Sequence, residues 1–308
     1  MSGGLVSLLD LLVVGHFAID YVVREGEALP PSLGGTVTFS SLATAGLGAK
    51  VGIVSKVGPD FRDDYILVFA RNGVDISEVK KVKAPTTKYR LEYLGEERTL
   101  TLLTKCDPIG PKDVMGLRNK ASAIHLGPIA GEISDQTVGE IAKWNKTVLL
   151  DLQGVIRRFD KQGNVSVEAN ALLPEMVRNV TIVKAALREG EEVTKTSGFE
   201  KVGSSFLDMG CRISIVTLGA KGSYISNCDG ETMLIPAIKP RKVVDYTGAG
   251  DAYAGSFLVE YTRTRDIRRS AIIASSAVSF KVEGHSTFGF ASRKDIEERA
   301  AKYLGVGS

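Results

Sequence analysis

Residues 245–255 have the residue types and the spacing that a phosphoryl-transfer site needs. They read Asp-Tyr-Thr-Gly-Ala-Gly-Asp-Ala-Tyr-Ala-Gly. The small residues at 248–250 allow the backbone to approach a ligand, and the helical pattern that begins near Ala252 predicts unpaired amides directed at one point. Such amides and the helix dipole attract anions. Asp251, in the first helical turn, could then act as the base for an acceptor hydroxyl.

The alternative for this stretch is a glycine-rich turn in which Asp251 only caps the helix, and residue chemistry alone leaves both interpretations open. Other motifs do not fit. A dinucleotide fingerprint that starts at Gly248 would need glycine where Tyr253 stands, and the chain has no Gly-Lys pair for a Walker A loop. Residues 284–288 end in Phe, which excludes a nucleophile elbow.

The elements that must position this stretch alternate between short apolar strands and longer helical patterns. This alternation predicts an α/β fold with a doubly wound, mainly parallel sheet and helices on both faces. The strand segments are almost entirely apolar, as expected when both faces of a sheet are covered. Predicted strands lie at 11–15, 50–55, 122–126, 147–151, 180–184 and 213–218, and predicted helices at 36–47, 60–72, 134–145, 249–262, 267–282 and 293–304.

Two segments break this alternation. Residues 17–23 and 86–104 read as alternating strands, the second as a hairpin through Gly95 and Glu96. One face of such a small sheet needs cover, so we expect a lid over the ligand crevice of the main sheet. We expect residues 1–308 to form a single α/β domain, with the lid inserted at 16–32 and 85–105.

Composition and charge argue against several other classes of protein. A chain of 308 residues that is 44% hydrophobic and 24% charged is an ordinary globular sequence. The net charge of +3, without a run of five basic residues, gives no support for a nucleic-acid partner. Three cysteines without a CxxC pair argue against a zinc site and favour a reducing cytoplasm. The apolar segment 5–14 contains Asp10 and follows no Lys or Arg, so we expect a core strand, and no segment predicts a membrane span.

Three segments, in this order along the chain, resemble signatures of the ribokinase/PfkB carbohydrate kinase family. The similarity covers nearly the whole chain and implies a ribokinase-like fold with a small β-sheet lid. The N-terminal signature corresponds to Gly34-Gly35, 42–51 and 56–60, the nucleotide loop to 217–222, and the C-terminal signature to 245–255.

The resemblance also implies roles at matching positions. Asp251 would be the catalytic base, and the amides of Gly248, Ala249 and Gly250 would stabilise the phosphoryl group in transit. Glu189 would reach Mg²⁺ through water. The residues assigned to the ATP side are Thr217, Gly219, Lys221, Gly222, Lys184 and Glu189.

On the acceptor side, Asp20 matches a carboxylate that binds substrate hydroxyls from the lid, next to Gly34 and Gly35. Its alternative role is a strand-end residue that bonds backbone amides. Ribokinase itself carries asparagines at three positions that hold Ala18, Phe39 and Ala186 here. These departures disfavour ribose and put part of the metal arrangement in doubt. Phe39 could present an apolar face to a ring or be a core residue.

Residues 150–157, with 14–16 and the hairpin 89–103, are similar to archaeal inositol kinases of this family. Gln153 and Arg157 follow a strand's carboxyl end, where α/β sheets bind ligands. Arg157 could hold a hydroxyl-rich ring or a phosphate, or it could form a surface ion pair.

We therefore expect a kinase that transfers the γ-phosphoryl group of ATP to a hydroxyl of a small sugar or polyol, with myo-inositol as the first choice. The alternatives are a kinase for nucleosides or for another sugar (ribose, fructose or a keto-deoxy sugar acid) and a non-catalytic nucleotide or sugar sensor on the same fold. An exposed lid edge makes a homodimer through the lid plausible.

Overall fold

A large sheet forms the centre of the computed structural model, which describes residues 8–94 and 97–305. Its strands are β1 (Leu9–Val14), β5 (Val51–Val57), β6 (Asp75–Lys81), β9 (Ala121–Leu126), β10 (Thr147–Asp151), β13 (Ile182–Ala186), β14 (Ile213–Thr217), β15 (Ser223–Asn227) and β16 (Thr232–Ile235). Their order is β16-β15-β14-β13-β10-β9-β1-β5-β6. The pairs from β14 to β6 are parallel, whereas β15 and β16 extend one edge in antiparallel pairing.

Helices cover both faces of this sheet. They are α1 (Thr36–Gly46), α2 (Asp63–Arg71), α3 (Pro111–Val114), α4 (Asp135–Ala142), α5 (Gln153–Ile156), α6 (Leu173–Arg178), α7 (Leu187–Thr194), α8 (Phe199–Asp208), α9 (Ala249–Thr264), α10 (Ile267–Lys281) and α11 (Arg293–Leu304). The predicted α/β architecture with a mainly parallel sheet is confirmed.

Alternation along β1 divides the core into two layers. Leu11 and Val13 pack in one cluster with Phe257 of α9. Leu12 and Val14 point to the opposite face, into a cluster that contains Phe206 of α8. Successive strand residues face opposite sides of a sheet, so an apolar strand of this kind must be covered on both.

A second, smaller sheet stands over the main one. It contains β2 (Ala18–Arg24), β3 (Glu27–Ala28), β4 (Ser32–Gly34), β7 (Thr87–Leu94) and β8 (Glu97–Thr104). Strands β2 and β7 are parallel, and β7 pairs with β8 as an antiparallel hairpin. The predicted turn at Gly95 and Glu96 lies outside the described residues. A separate hairpin joins β11 (Arg157–Phe159) to β12 (Val165–Val167).

His16 connects the chain segments that lead into and out of the lid. Its Nδ1 is 2.9 Å from Thr87 Oγ1, and its Nε2 is 3.0 Å from the carbonyl oxygen of Asp107. Its amide donates to Glu132 Oε1 at 2.9 Å. His16, Thr87 and Glu132 are fully buried. Hydrogen bonds of His16 therefore tie the segments at the base of the lid to one another.

The element boundaries agree with the sequence within a few residues, with some differences. Gly73 follows α2 at φ +68°, a left-handed conformation that glycine commonly adopts after a helix. Gly284 does not have this role, because α10 ends at Lys281 and Gly284 instead packs against the backbone of Phe288. No helix among residues 8–94 and 97–305 combines the length and the apolar composition needed to cross a membrane.

Candidate active site

The turn before α9 presents free amides at the carboxyl edge of the sheet. Gly248 caps the helix with φ +77°, a conformation that favours glycine. The Ala249 amide donates to the Tyr246 carbonyl at 3.1 Å, so it is engaged in this structure. Within the described part of the chain, the amides of Gly248, Gly250 and Asp251 have no acceptor. The sequence assigns the amides of Gly248, Ala249 and Gly250 to the phosphoryl group; here the Ala249 amide is engaged, and the amide of Asp251 has no acceptor among the described residues.

Gly248 has a second constraint besides its backbone conformation. A Cβ atom there would lie 2.1 Å from Cγ of Phe39. Phe39 is 2% exposed and packs with its ring against the turn. Phe39 also lines both cavities described below, so a buried core residue here reaches the crevice.

Asp251 is held by two hydrogen bonds that reach the same oxygen. Its Oδ1 accepts from Thr36 Oγ1 at 2.7 Å and from Gln153 Nε2 at 2.8 Å. Burial raises the pKa of the Asp251 carboxyl, and the negative charge of Asp151 adds to this effect. The bonds from Thr36 and Gln153 and the charge of Lys184 oppose the rise. A carboxylate with a raised pKa is a stronger base than an exposed aspartate.

Lys184 brings a cation to the same turn. It lies on β13, and its Nζ is 2.6 Å from Oδ2 of Asp151 at the end of β10. The ammonium is also 3.3 Å from the position that a Cβ on Gly250 would occupy. Burial lowers the pKa of Lys184, but the charge and hydrogen bond of Asp151, together with the charges of Asp251 and Glu189, outweigh it, so the net shift is upward. Lys184 is therefore a fixed cation beside the free amides.

Glu189 and Arg157 lie on the other side of Gln153. Glu189 is in the first turn of α7, where its Oε2 accepts from the Ala186 amide at 3.2 Å. Arg157 Nη2 lies 3.1 Å from Gln153 Oε1 and 3.9 Å from Glu189 Oε1. Gln153 thus connects the Asp251 carboxylate to Arg157 and, through it, to Glu189.

The loop that the sequence assigns to the nucleotide follows β14. Thr217 is paired with Ala186 of β13, and residues 219–221 form a single turn of 3₁₀ helix. Gly219 and Lys221 are exposed, whereas Gly222 is buried at φ +107° against the Ile235 carbonyl. These loop residues lie outside the lining of the two cavities described below. They adjoin Lys184 and Glu189 through strand β13.

Two adjoining cavities separate the lid from the turn. The smaller, about 100 Å³, is lined by residues that include Asp20, Gly35, Phe39, Gln153, Arg157 and Asp251. The larger, about 290 Å³, is lined by residues that include Asp20, Arg24, Phe39, Tyr93, Thr247 and His285. Because Asp20, Phe39 and Thr247 line both, the two cavities form one crevice beneath the lid.

The paired glycines shape this crevice from the lid side. A Cβ at Gly34 would lie 2.0 Å from Oδ2 of Asp20, so only glycine leaves room for that carboxylate. Gly35 caps α1 at φ +88° and packs on the His16 carbonyl. Asp20 is 5% exposed and lies on β2. Gly34 therefore acts by admitting Asp20, and of the two glycines only Gly35 lines the smaller cavity.

Two residues of this arrangement were not singled out from sequence. Thr36 begins α1 directly after the paired glycines, and Asp151 ends a predicted strand. Their positions carried a signal, since strand carboxyl ends and helix starts meet at the ligand-binding edge of such sheets. Their partners, however, are distant in sequence, since Thr36 and Asp251 are 215 positions apart.

Comparison with known proteins defines the class. Residues 10–292 of this chain match the sequence pattern that describes the pfkB family carbohydrate kinases. The chain belongs to this family. It is a phosphotransferase, and within that class a sugar or nucleoside kinase. The non-catalytic sensor considered from sequence is thereby set aside.

Individual relatives have different substrates in their names. The cytidine kinase of Thermococcus kodakarensis is 28% identical over 264 residues, covering 84% of this chain and 91% of that protein. The inositol 3-kinase of Zea mays is 30% identical over 272 residues, covering 81% of this chain but only 65% of that longer protein. The resemblance to inositol kinases noted from sequence is supported.

Solved structures confirm the ribokinase-like fold. A pyrophosphate-dependent kinase in the ribokinase family, complexed with a pyrophosphate analog and myo-inositol, has a TM-score of 0.79 to this chain at 22% identity. The match covers 94% of this chain and 99% of that one.

Proposed function

We propose that this protein is an ATP-dependent kinase that phosphorylates a hydroxyl of a small polyol, with myo-inositol as the preferred acceptor. One observation carries the proposal. The buried Asp251 carboxylate lies in the same turn as the free amides of Gly248 and Gly250, under a lid and beside the crevice. A base and a set of anion-binding donors at one point are what in-line phosphoryl transfer requires.

Asp251 is the catalytic base in this proposal. Both hydrogen bonds that it accepts from described side chains go to Oδ1, which leaves Oδ2 for the acceptor hydroxyl. Thr36 and Gln153 hold the carboxylate in one orientation. As the hydroxyl attacks, Oδ2 takes its proton, and the raised pKa of Asp251 favours that transfer.

The transferred phosphoryl group is held by the amides of Gly248, Gly250 and Asp251, with Lys184 beside Gly250. Donors fixed in advance stabilise the charge that develops on the phosphoryl oxygens without reorganising. The loop with Thr217, Gly219, Lys221 and Gly222 would contact the rest of ATP from the neighbouring strand. The lid excludes water, which would otherwise accept the phosphoryl group.

The residues present fit a Mg²⁺ ion that is held mainly by the phosphates of the donor. Groups of three or more His, Cys, Asp or Glu side chains that could bind a metal are absent from the described residues. Mg²⁺ commonly needs only one or two protein carboxylates besides phosphates and water. Glu189 would supply one, through water, from the start of α7. When bound, the ion neutralises charge on the donor phosphates.

The preference for a polyol rests on the smaller cavity. Asp20, Gln153 and Arg157 surround it and offer both donors and acceptors to a ring with several hydroxyls, while Phe39 supplies an apolar surface. The inositol 3-kinase of Zea mays supports this choice.

A nucleoside is the second candidate, and the larger cavity favours it. A base could extend from the ring site into this space of about 290 Å³, between Phe39 and Tyr93. The cytidine kinase of Thermococcus kodakarensis supports this alternative.

An acceptor screen decides between them. Phosphoryl transfer is measured with myo-inositol, ribose, fructose, a keto-deoxy sugar acid and cytidine, each with ATP and with pyrophosphate as the donor. We expect the highest kcat/KM with ATP and myo-inositol. Higher kcat/KM with cytidine contradicts the polyol assignment, activity with pyrophosphate alone contradicts the donor, and no transfer to any acceptor contradicts the kinase proposal.

Asp251→Asn tests the base. The variant keeps the size of the side chain but cannot take the proton, so kcat should fall by a factor on the order of 10² or more while ATP binding and the melting temperature stay close to wild type. Asp208→Asn, at an exposed position in α8, is the matched control and should be fully active. Near-normal turnover in Asp251→Asn removes this residue from the mechanism.

A further inference from the structure

Lys281 is buried without a hydrogen-bond partner. It is the last residue of α10, and its exposed fraction is 0%. Its Nζ has no acceptor within the part of the chain that the structure describes. Lys184, which is also buried, differs because Asp151 pairs with it at 2.6 Å. An unpaired buried ammonium is unfavourable in a folded protein, so its presence calls for a compensating interaction.

Lys281 lies directly behind the anion-binding turn. Its Nζ is 5.3 Å from the centre of the Phe39 ring, and that ring packs on Gly248. The carbonyl of the next residue, Val282, accepts from the amides of Val244 at 2.7 Å and Asp245 at 3.2 Å. The backbone that carries Lys281 is therefore bonded to the start of the same turn.

The charges around Lys281 are only partly balanced. Burial lowers the pKa of Lys281, and the negative charges of Asp245 and Asp251 oppose this shift. The carboxyl end of α10 is the negative end of its dipole, which also favours a cation. The amino end of α9, by contrast, is positive. Lys281 and the amino end of α9 are both positive, so they repel each other until an anion binds between them or beside them.

We propose that Lys281 is a positioning residue for phosphoryl transfer, a built-in cation that keeps the 245–248 turn in its anion-binding shape and adds positive potential behind the amides of α9. This inference rests on the proposed function. The positive charge is unfavourable in the free protein and favourable once phosphoryl charge accumulates at the turn. It therefore contributes to the transition state more than to folding or to acceptor binding.

Lys281→Met separates this role from a structural one. Methionine fills similar space without charge, and replacing a buried charge by an apolar side chain of similar volume is often neutral or stabilising. We expect a melting temperature equal to or above that of wild type, a kcat lower by a factor on the order of 10², and an acceptor KM within about twofold of wild type. Lys294→Met, at an exposed site in α11, is the control with unchanged kinetics.

Anion binding gives a readout without turnover. Inorganic phosphate should raise the melting temperature of wild type and of Lys294→Met, and this rise should be smaller in Lys281→Met. An equal rise in all three proteins contradicts the proposed contribution of Lys281 to the anion site.

Chemical rescue tests the charge itself. Lys281→Ala leaves a cavity, and methylammonium should restore part of its kcat, because the small cation can occupy that space. The same salt should not affect Lys281→Met, where the space is filled. Normal kcat in Lys281→Met overturns the inference, as does a loss that follows the melting temperature and is not rescued. Absence of transfer in wild type would instead contradict the proposed function.

Discussion

At the scale of single residues, the reactivity proposed for Asp251 depends on four neighbours from three separate parts of the chain. Thr36 and Gln153 bond its Oδ1, Asp151 raises its pKa, and Lys184 lowers it. The sequence identified Asp251 because its signal is local, a carboxylate next to small residues at a helix start. It did not identify Thr36 or Asp151 as partners, because their roles arise only when distant strands and helices pack together.

Thr36→Val should change the pH dependence of the reaction. The Thr36 hydroxyl stabilises the ionised form of Asp251, so its removal raises the pKa of this carboxyl further. A base must be deprotonated to act, and the acid limb of the kcat profile should therefore move to higher pH. Above that limb, the loss of one orienting hydrogen bond should lower kcat by only about fivefold.

The matched control for Thr36→Val is Thr38→Val. Thr38 is on the same helix and is equally buried, but its hydroxyl donates to the Gly34 carbonyl at 2.7 Å and not to Asp251. The acid limb of the kcat profile of Thr38→Val should coincide with that of wild type. If the limb of Thr36→Val also stays in place, the hydrogen bond does not control the ionisation of Asp251.

At the scale of elements, the site depends on how closely α1 approaches α9. A Cβ on Gly255 of α9 would lie 2.3 Å from Ser40 Oγ and 3.1 Å from Thr44 Cγ2, both on α1. These two helices carry Thr36 and Asp251 in their first turns. The glycine at the end of the 245–255 motif is therefore needed for helix packing, a role that the motif itself does not reveal.

Gly255→Ala should weaken both stability and activity. The extra methyl group forces α1 and α9 apart, which we expect to lower the free energy of unfolding by about 1–3 kcal/mol and to lower kcat by misaligning Thr36 and Asp251. Gly139→Ala in α4 is the control, since a Cβ there meets no atom within 4 Å. It should be neutral or stabilising, by up to about 1 kcal/mol. Thermal melting and turnover measure both effects, and a fully active, fully stable Gly255→Ala contradicts the packing argument.

The elements that the sequence predicted best are those with strong apolar periodicity. Strand β10 and helix α11 begin and end where predicted. Strand β15 was not predicted, because its buried positions include Ser223, Ser226 and Asn227, which do not look like core residues in sequence. Only the pairing of β15 with β14 and β16 explains their burial. Polar strands of this kind are determined by the sheet around them and not by their own composition.

At the scale of the whole molecule, the proposed donor and acceptor sites lie along one edge of the sheet. Thr217 on β14 is paired with Ala186 on β13, and Lys184 on β13 is paired with Asp151 on β10. The loops after these parallel strands therefore follow one another from the nucleotide loop to Gln153. The family resemblance pointed to Lys184 but not to Asp151, and only the strand order shows that both stand between the two proposed sites.

A homodimer through the lid stays a prediction, and the structure limits which edge can form it. The outer edge of β8 is partly covered, since the Leu102 amide donates to the Gly163 carbonyl at 2.8 Å. Strand β3 at the opposite edge has both of its residues, Glu27 and Ala28, exposed. We therefore expect pairing through β3. Light scattering at two different protein concentrations in the micromolar range would detect the dimer.

Ala28→Lys should convert such a dimer to a monomer, because charge on an edge strand opposes pairing. Gln162→Lys, on the hairpin that covers β8, should leave the dimer intact. The reverse result would place the interface at β8. A wild-type chain that is monomeric at both concentrations contradicts the dimer.

The bonds that His16 makes at the base of the lid have a consequence for turnover. They join the segment that enters the lid to Thr87 and to Asp107, so the two ends of the lid cannot separate there without breaking buried hydrogen bonds. We therefore expect any opening of the lid at its far end, where Arg24 stacks on Tyr93. Acceptor and product would then enter and leave at that end of the lid. Because the base of the lid is fixed, the acceptor hydroxyl would reach Asp251 at the same depth in every catalytic cycle.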